Sequence, residues 1–195
     1  MTALLFDRIF GNFYTRKLYH FLGGMLMVSA LMLLERNWFI LFAAVYFIIF
    51  FLIGKRISFA VIGVILIYII SGSKYLTLYA TMIWLVGDGI AGLAGSAFGK
   101  QKLPWHDQKT ITGSFAFFLS SFSVILTLLI TTIEASYRQL LILSTISCLV
   151  ACFVESLPVS FIRDRKPDDN LIVLISAGLT FWGFSKFLGL ESLLW

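Results

Sequence analysis

Asp88 stands in Gly87-Asp88-Gly89-Ile90-Ala91-Gly92-Leu93-Ala94-Gly95-Ser96-Ala97-Phe98-Gly99-Lys100, a glycine-rich stretch continuous with an apolar run. An ionised group at membrane depth is costly, so such a carboxylate usually faces a polar cavity and does chemistry there. Glu155 poses the same question: it closes an apolar segment three residues before Pro158, and Asp168-Asp169-Asn170 follow beyond the next loop. Asp and Asn are ordinary helix N-caps, which accounts for Asp168 or Asn170 singly. It does not account for Glu155.

Basic and small residues accompany these carboxylates. In Arg16-Lys17-Leu18-Tyr19-His20, helical spacing makes Arg16 and Lys17 neighbours of His20; a snorkelling basic anchor explains the group equally well. Asp88, Gly92, Gly95 and Gly99 share one helix face, leaving a groove beside the carboxylate for another backbone or a phosphate. Packing of small residues between membrane helices explains the glycines, but not Asp88. The loop Lys100-Gln101-Lys102-Leu103-Pro104-Trp105-His106-Asp107-Gln108 leads to Lys109-Thr110-Ile111-Thr112-Gly113-Ser114. There Lys109, Thr110 and the backbone donors of Gly113 and Ser114 would sit at a helix N-terminus, where free N–H groups and the macrodipole favour anions. The spacing is not that of a P-loop.

The elements that must position these groups are membrane helices. Of 195 residues 59% are hydrophobic and only 13% charged, with a mean hydropathy of +0.95. A soluble domain of this size could not hide so much apolar surface. Apolar runs of spanning length occur at 18–34, 38–53, 76–98, 112–133, 139–157 and 170–190, with a shorter one at 57–70. The runs are continuous rather than alternating, which favours helices over a barrel. The expected fold is therefore all-α: one polytopic membrane domain, residues 1–195, of about seven transmembrane helices. No cleavable signal peptide is evident, and the first eleven residues read as a short interfacial helix.

Basic residues set the orientation. Arg8, Arg16, Lys17, Lys55, Arg56, Lys100, Lys102, Lys109, Arg163, Arg165 and Lys166 fall on one side of this topology, and Arg36, Lys74, Arg138 and Lys186 on the other. The N-terminus is expected in the cytoplasm and the C-terminus outside. The net charge of +5 is dispersed over short loops without a basic domain or arm, which argues against nucleic-acid binding. Under this topology Asp88, Glu155 and Asp169 converge with Arg16, Lys17, Lys100 and Lys109 at the cytoplasmic face. Hard oxygen ligands with cations nearby suit Mg²⁺ bound jointly with nucleotide phosphates. Cys148 and Cys152, four apart in an apolar run, read as packing residues. Trp38, Trp105 and Trp195 read as interface anchors, and His106 as a solvated loop residue.

Arg16-Lys17-x-x-His20, Asp88-Gly89-x-Ala91 with Gly95 and Phe98-Gly99-Lys100, Lys109-Thr110-x-x-Gly113-Ser114, Glu155 and Asp169-Asn170 together resemble the motif series of the CTP-dependent lipid kinases. That family includes dolichol kinase, phytol kinase and the CTP-dependent diacylglycerol kinase. The middle block is also similar to the pattern of phosphatidate cytidylyltransferase. The resemblance extends from residue 16 to about residue 175; a proline common after the Asp-Asn pair is replaced here by Leu171-Ile172-Val173-Leu174. It implies transfer of the γ-phosphoryl group of CTP to the hydroxyl of a membrane lipid alcohol, a polyprenol or dolichol, phytol or diacylglycerol, at the cytoplasmic face with Mg²⁺. It implies Asp88 and Glu155 as Mg²⁺ ligands or acceptors of the alcohol proton, with Asp169 a third metal ligand. Lys100, Lys109, Thr110 and the Gly113 and Ser114 amides would take phosphates, with Gly92, Gly95, Gly99 and Asn170 lining the nucleotide site. Arg16, Lys17 and His20 would meet phosphate or transition-state charge.

Two rivals stand beside this reading. A cytidylyltransferase would join CMP to a phospholipid phosphate, and would need more cations at its site. A small membrane transporter would use Asp88 as a coupling residue, but predicts polar residues through the whole bilayer depth, whereas the charges here collect on one side. The chain leaves room for a homodimer without pointing to one.

Overall fold

The computed structural model describes residues 13–52, 58–158 and 169–190, excluding the side chains of residues 13–16, 19, 50, 51, 58 and 169. Seven helices lie among the described residues: α1 (Phe13–Leu33), α2 (Arg36–Leu52), α3 (Ser58–Ser71), α4 (Lys74–Phe98), α5 (Ile111–Thr132), α6 (Tyr137–Ser156) and α7 (Asp169–Phe187). The protein is all-α in architecture, as its apolar runs predict. Four helices, α4 to α7, are long and apolar enough to cross a membrane, while α1 to α3 carry shorter apolar stretches.

Polar residues at the ends of these runs stop and start the helices. Ser73 caps α4 by accepting from the Leu76 amide at 3.1 Å, and Thr110 caps α5 by accepting from that of Gly113 at 3.1 Å. Ser136 and Gln139 form a reciprocal capping box at the start of α6. Between α3 and α4 the chain turns at Gly72, whose φ of 69° favours a residue without a side chain.

Consecutive helices pack against one another, and where the connection is only a few residues long, as at 34–35, 72–73 and 133–136, it makes them antiparallel neighbours. Ties at one end of the bundle join Lys74 Nζ to the Leu34 carbonyl at 2.6 Å, Tyr79 Oη to Thr132 Oγ1 at 2.6 Å and Gln139 Nε2 to the Leu188 carbonyl at 2.9 Å. The opposite end gathers the start of α1, the end of α4, the start of α5, the end of α6 and the start of α7. α4 is the axis: two thirds of its apolar window is buried (67%), against 28% for α5 and 33% for α7. Its residues from Leu76 to Thr81 are buried on every side, the pattern of a helix enclosed by others. The core joins Tyr79, Ile83 and Leu85 of α4 to Phe117, Ile125 and Leu129 of α5, Leu143 of α6 and Phe181 of α7.

The stretch read as a plain loop after Lys100 folds as a small antiparallel hairpin, β1 (Lys102–Leu103) and β2 (His106–Thr110). Pro104 and Trp105 make the two-residue reversal, for which the fixed φ of proline is suited. His106 Nδ1 accepts from the amides of Gln108 at 3.1 Å and Lys109 at 3.2 Å. Trp105 is half exposed (50%), yet its indole N–H donates to the Ser156 carbonyl at 3.0 Å and ties the hairpin to the end of α6.

Candidate active site

The site begins where α4 and α5 touch. Gly95 and Gly113 face each other across the crossing: a Cβ on Gly113 would lie 3.2 Å from the Ala91 carbonyl oxygen, and one on Gly95 would lie 3.0 Å from Thr110 Oγ1. The glycine face read as a groove thus admits another backbone at Gly95, and Thr110 also packs against Gly99. This contact fixes the start of α5, and with it Lys109, against the last turns of α4. Gly89, beside Asp88, has open space where a side chain would go.

Two lysines hold the two carboxylates in the same way. Lys17 Nζ, from α1, donates to Asp88 Oδ2 at 2.7 Å and to the Asp88 carbonyl at 3.1 Å. Lys109 Nζ, at the end of β2, pairs with Glu155 Oε1 at 2.7 Å and also donates to the Glu155 carbonyl. That carbonyl lies in the last turn of α6, where acceptors lack helical partners and a cation is favoured. The four side chains are between 10% and 19% exposed. Each pair is therefore recessed but reachable.

The two pairs lie toward the same end of the bundle, the first between α1 and α4 and the second between the hairpin and the end of α6. His20 joins the first pair with Nε2 3.6 Å from Asp88 Oδ2. The imidazole packs edge-on against Trp84, ring centres 4.5 Å apart, and the Trp84 indole N–H donates to Asn170 Oδ1 at 2.9 Å. Asn170 of α7 is so connected through Trp84 to the His20 and Asp88 corner. Trp84 belongs to none of the motifs in the sequence. Its signal was position: it precedes Asp88 by one helical turn on the most buried helix.

Of the other expected residues, Thr110 and Gly113 lie at the start of α5 as anticipated, with the Gly113 amide engaged by the Thr110 cap. Ser114 Oγ is buried with no hydrogen-bond partner among the described residues, and the Ser114 carbonyl accepts from Cys152 Sγ at 3.2 Å. Lys100 is exposed and takes part in none of the ion pairs among the described residues. Gly92 is partly buried on the same helix as Asp88. Arg16 and Asp169 belong to α1 and α7 by their backbone, but their side chains lie outside those described. Among the described residues no three His, Cys, Asp or Glu side chains converge; Asp88 and Glu155 remain as two hard-oxygen donors, each engaged by a lysine.

A combination of two carboxylates with two or more cations can hold a divalent metal together with phosphates, since Mg²⁺ commonly takes one or two carboxylates and completes its shell with water and phosphate oxygens. The residues present fit that class of ligand.

No family model matches the chain, and no solved structure matches it. Among curated proteins it is similar to phytol kinase 1, chloroplastic, of Arabidopsis thaliana, 31% identical over 100 residues that make up 49% of this chain and 33% of the relative. A probable phytol kinase, chloroplastic, of Triticum aestivum is 33% identical over 100 residues with the same coverage. A probable phytol kinase 1, chloroplastic, of Glycine max is 32% identical over 104 residues, 50% of this chain and 33% of the relative. The matched stretch spans about a third of the length of these relatives. About half of this chain is thus similar in sequence to proteins named as phytol kinases.

Proposed function

We propose that the cluster is the nucleotide site of a membrane kinase that moves the γ-phosphoryl group of CTP to the hydroxyl of a lipid alcohol. The observation that carries this reading is the two recessed lysine–carboxylate pairs, Lys17 with Asp88 and Lys109 with Glu155, toward one end of an apolar bundle, in a chain similar over half its length to phytol kinases. Phytol or a related prenol heads the substrates, because those relatives carry that name; polyprenols and diacylglycerol follow from the wider resemblance. The excess of Lys and Arg on the cluster's side supports a cytoplasmic face for it.

In this reading Asp88 and Glu155 supply the oxygens for Mg²⁺, which when bound would offset charge on the transferring phosphoryl group. Lys17 and Lys109 turn from their carboxylates toward phosphate oxygens and orient the triphosphate. The alcohol enters sideways between helices, its tail remaining in hydrocarbon. Its oxygen forms a bond to the γ-phosphorus as the bond to the β-bridging oxygen breaks. CDP leaves, and the hydroxyl proton passes to a carboxylate of the cluster. Catalysis rests on positioning and charge neutralisation, as in other phosphoryl transfers.

The test is label transfer from γ-³²P-CTP and, separately, α-³²P-CTP into extracted lipid, using purified protein, Mg²⁺ and a mixture of alcohols and phosphatidate. Label from the γ position alone supports the kinase, and chromatography of the product names the alcohol. Label from the α position replaces it with a cytidylyltransferase.

A further inference from the structure

The two lysines hold their carboxylates by a repeated geometry. Each ammonium bonds both the side-chain carboxylate and the main-chain carbonyl of one residue, Lys17 on Asp88 and Lys109 on Glu155. The members of each pair come from different elements, 71 and 46 residues apart, so neither pair is a by-product of local helix spacing. With Lys17 and Lys109 charged and Asp88 and Glu155 ionised, the four side chains cancel.

We infer that these pairs are locks that make metal and polyphosphate enter together. The inference rests on the reading of the cluster as a metal and phosphate site. A divalent cation arriving alone would displace an ammonium from its carboxylate and leave that ammonium recessed without a counter-ion, a costly state. A polyphosphate arriving alone would draw the lysines away and leave two recessed carboxylates facing further negative charge. When both arrive, the lysines would turn onto phosphate oxygens as the carboxylates take the cation, and each ammonium and each carboxylate keeps a partner. The locks discriminate against free Mg²⁺ and against metal-free nucleotide without any moving domain.

The test uses the whole chain in nanodiscs, with Mn²⁺ followed by its electron paramagnetic resonance signal and pyrophosphate in EDTA followed by calorimetry. Wild-type protein is expected to bind each probe weakly when offered alone. Lys17→Met frees Asp88 and should tighten Mn²⁺ binding about tenfold, whereas Asp88→Asn frees Lys17 and should tighten metal-free pyrophosphate binding by a similar factor. Lys109→Met and Glu155→Gln ask the same of the second pair, so one well-folded variant for each probe suffices. Wild-type protein that takes Mn²⁺ alone as tightly as Lys17→Met or Lys109→Met overturns the locks, and so does the absence of Mn²⁺ binding in every variant. The kinase reading stands or falls separately, on the γ-label transfer.

Discussion

Lys17 and Asp88 meet twice, through the carboxylate at 2.7 Å and through the main-chain carbonyl at 3.1 Å, and the contact fastens the start of α1 to the middle of α4. It answers how an ionised group sits in a glycine-rich, apolar helix: the neighbouring helix brings the counter-charge. The pair is accordingly expected to serve both fold and chemistry. Asp88→Asn keeps the shape and one acceptor oxygen, so the folded protein should persist in nanodiscs while γ-phosphoryl transfer falls at least about a hundredfold, the scale on which loss of a charge-stabilising group is felt. Full activity in folded Asp88→Asn would remove Asp88 from the centre of the site.

Lys109 has a second task that Lys17 lacks. It closes the last turn of α6 through the Glu155 carbonyl while Trp105, in the same hairpin, holds the Ser156 carbonyl. Lys109→Met should therefore lower stability by about 1–3 kcal/mol, since it removes a charge-assisted bond and strands a recessed carboxylate. Glu155→Gln, which leaves the carbonyl contact in place, should cost less. Comparing their thermal unfolding checks the order; equal losses would mean that the helix-end contact contributes nothing.

Trp84 links Asn170 to His20. Trp84→Phe keeps an aromatic ring beside the imidazole but removes the N–H that reaches Asn170 Oδ1. The expected result is a fall in kcat severalfold larger than any rise in the KM for nucleotide, with about 1 kcal/mol of stability lost for the missing hydrogen bond. A change confined to KM would place Trp84 in nucleotide binding instead.

The sequence made the charged residues legible and their partners illegible. Asp88 and Glu155 could be singled out because an apolar run punishes an uncompensated charge, and Lys17 and Lys109 because basic residues collect at one set of loops. Local spacing, however, pairs Arg16 and Lys17 with His20, four and three residues on. Lys17 instead pairs with a carboxylate 71 residues away, across a helix contact that no local periodicity encodes. The hairpin was hidden for a related reason: its order depends on His106 Nδ1 accepting from two amides and on Trp105 finding the end of α6. Polar loop residues reveal such bonds only once folded. The seven apolar runs, by contrast, needed only composition and length, and all appear as helices.

Glycines carry the last prediction, because spacing gives them one meaning and the structure gives them two. Gly113 is buried against α4, where an added Cβ would lie 3.2 Å from the Ala91 carbonyl oxygen and 3.1 Å from Thr110 Oγ1. A backbone oxygen cannot step aside as a flexible side chain does, so Gly113→Ala should push α5 off α4 and cost about 1–3 kcal/mol. Gly89 sits in the middle of α4 with nothing within 4 Å of its would-be Cβ. There Gly89→Ala gains helix propensity and should stabilise by up to about 1 kcal/mol. Thermal unfolding of the two variants in one lipid system checks the contrast. If both destabilised equally, the face of α4 at Gly89 would not be open.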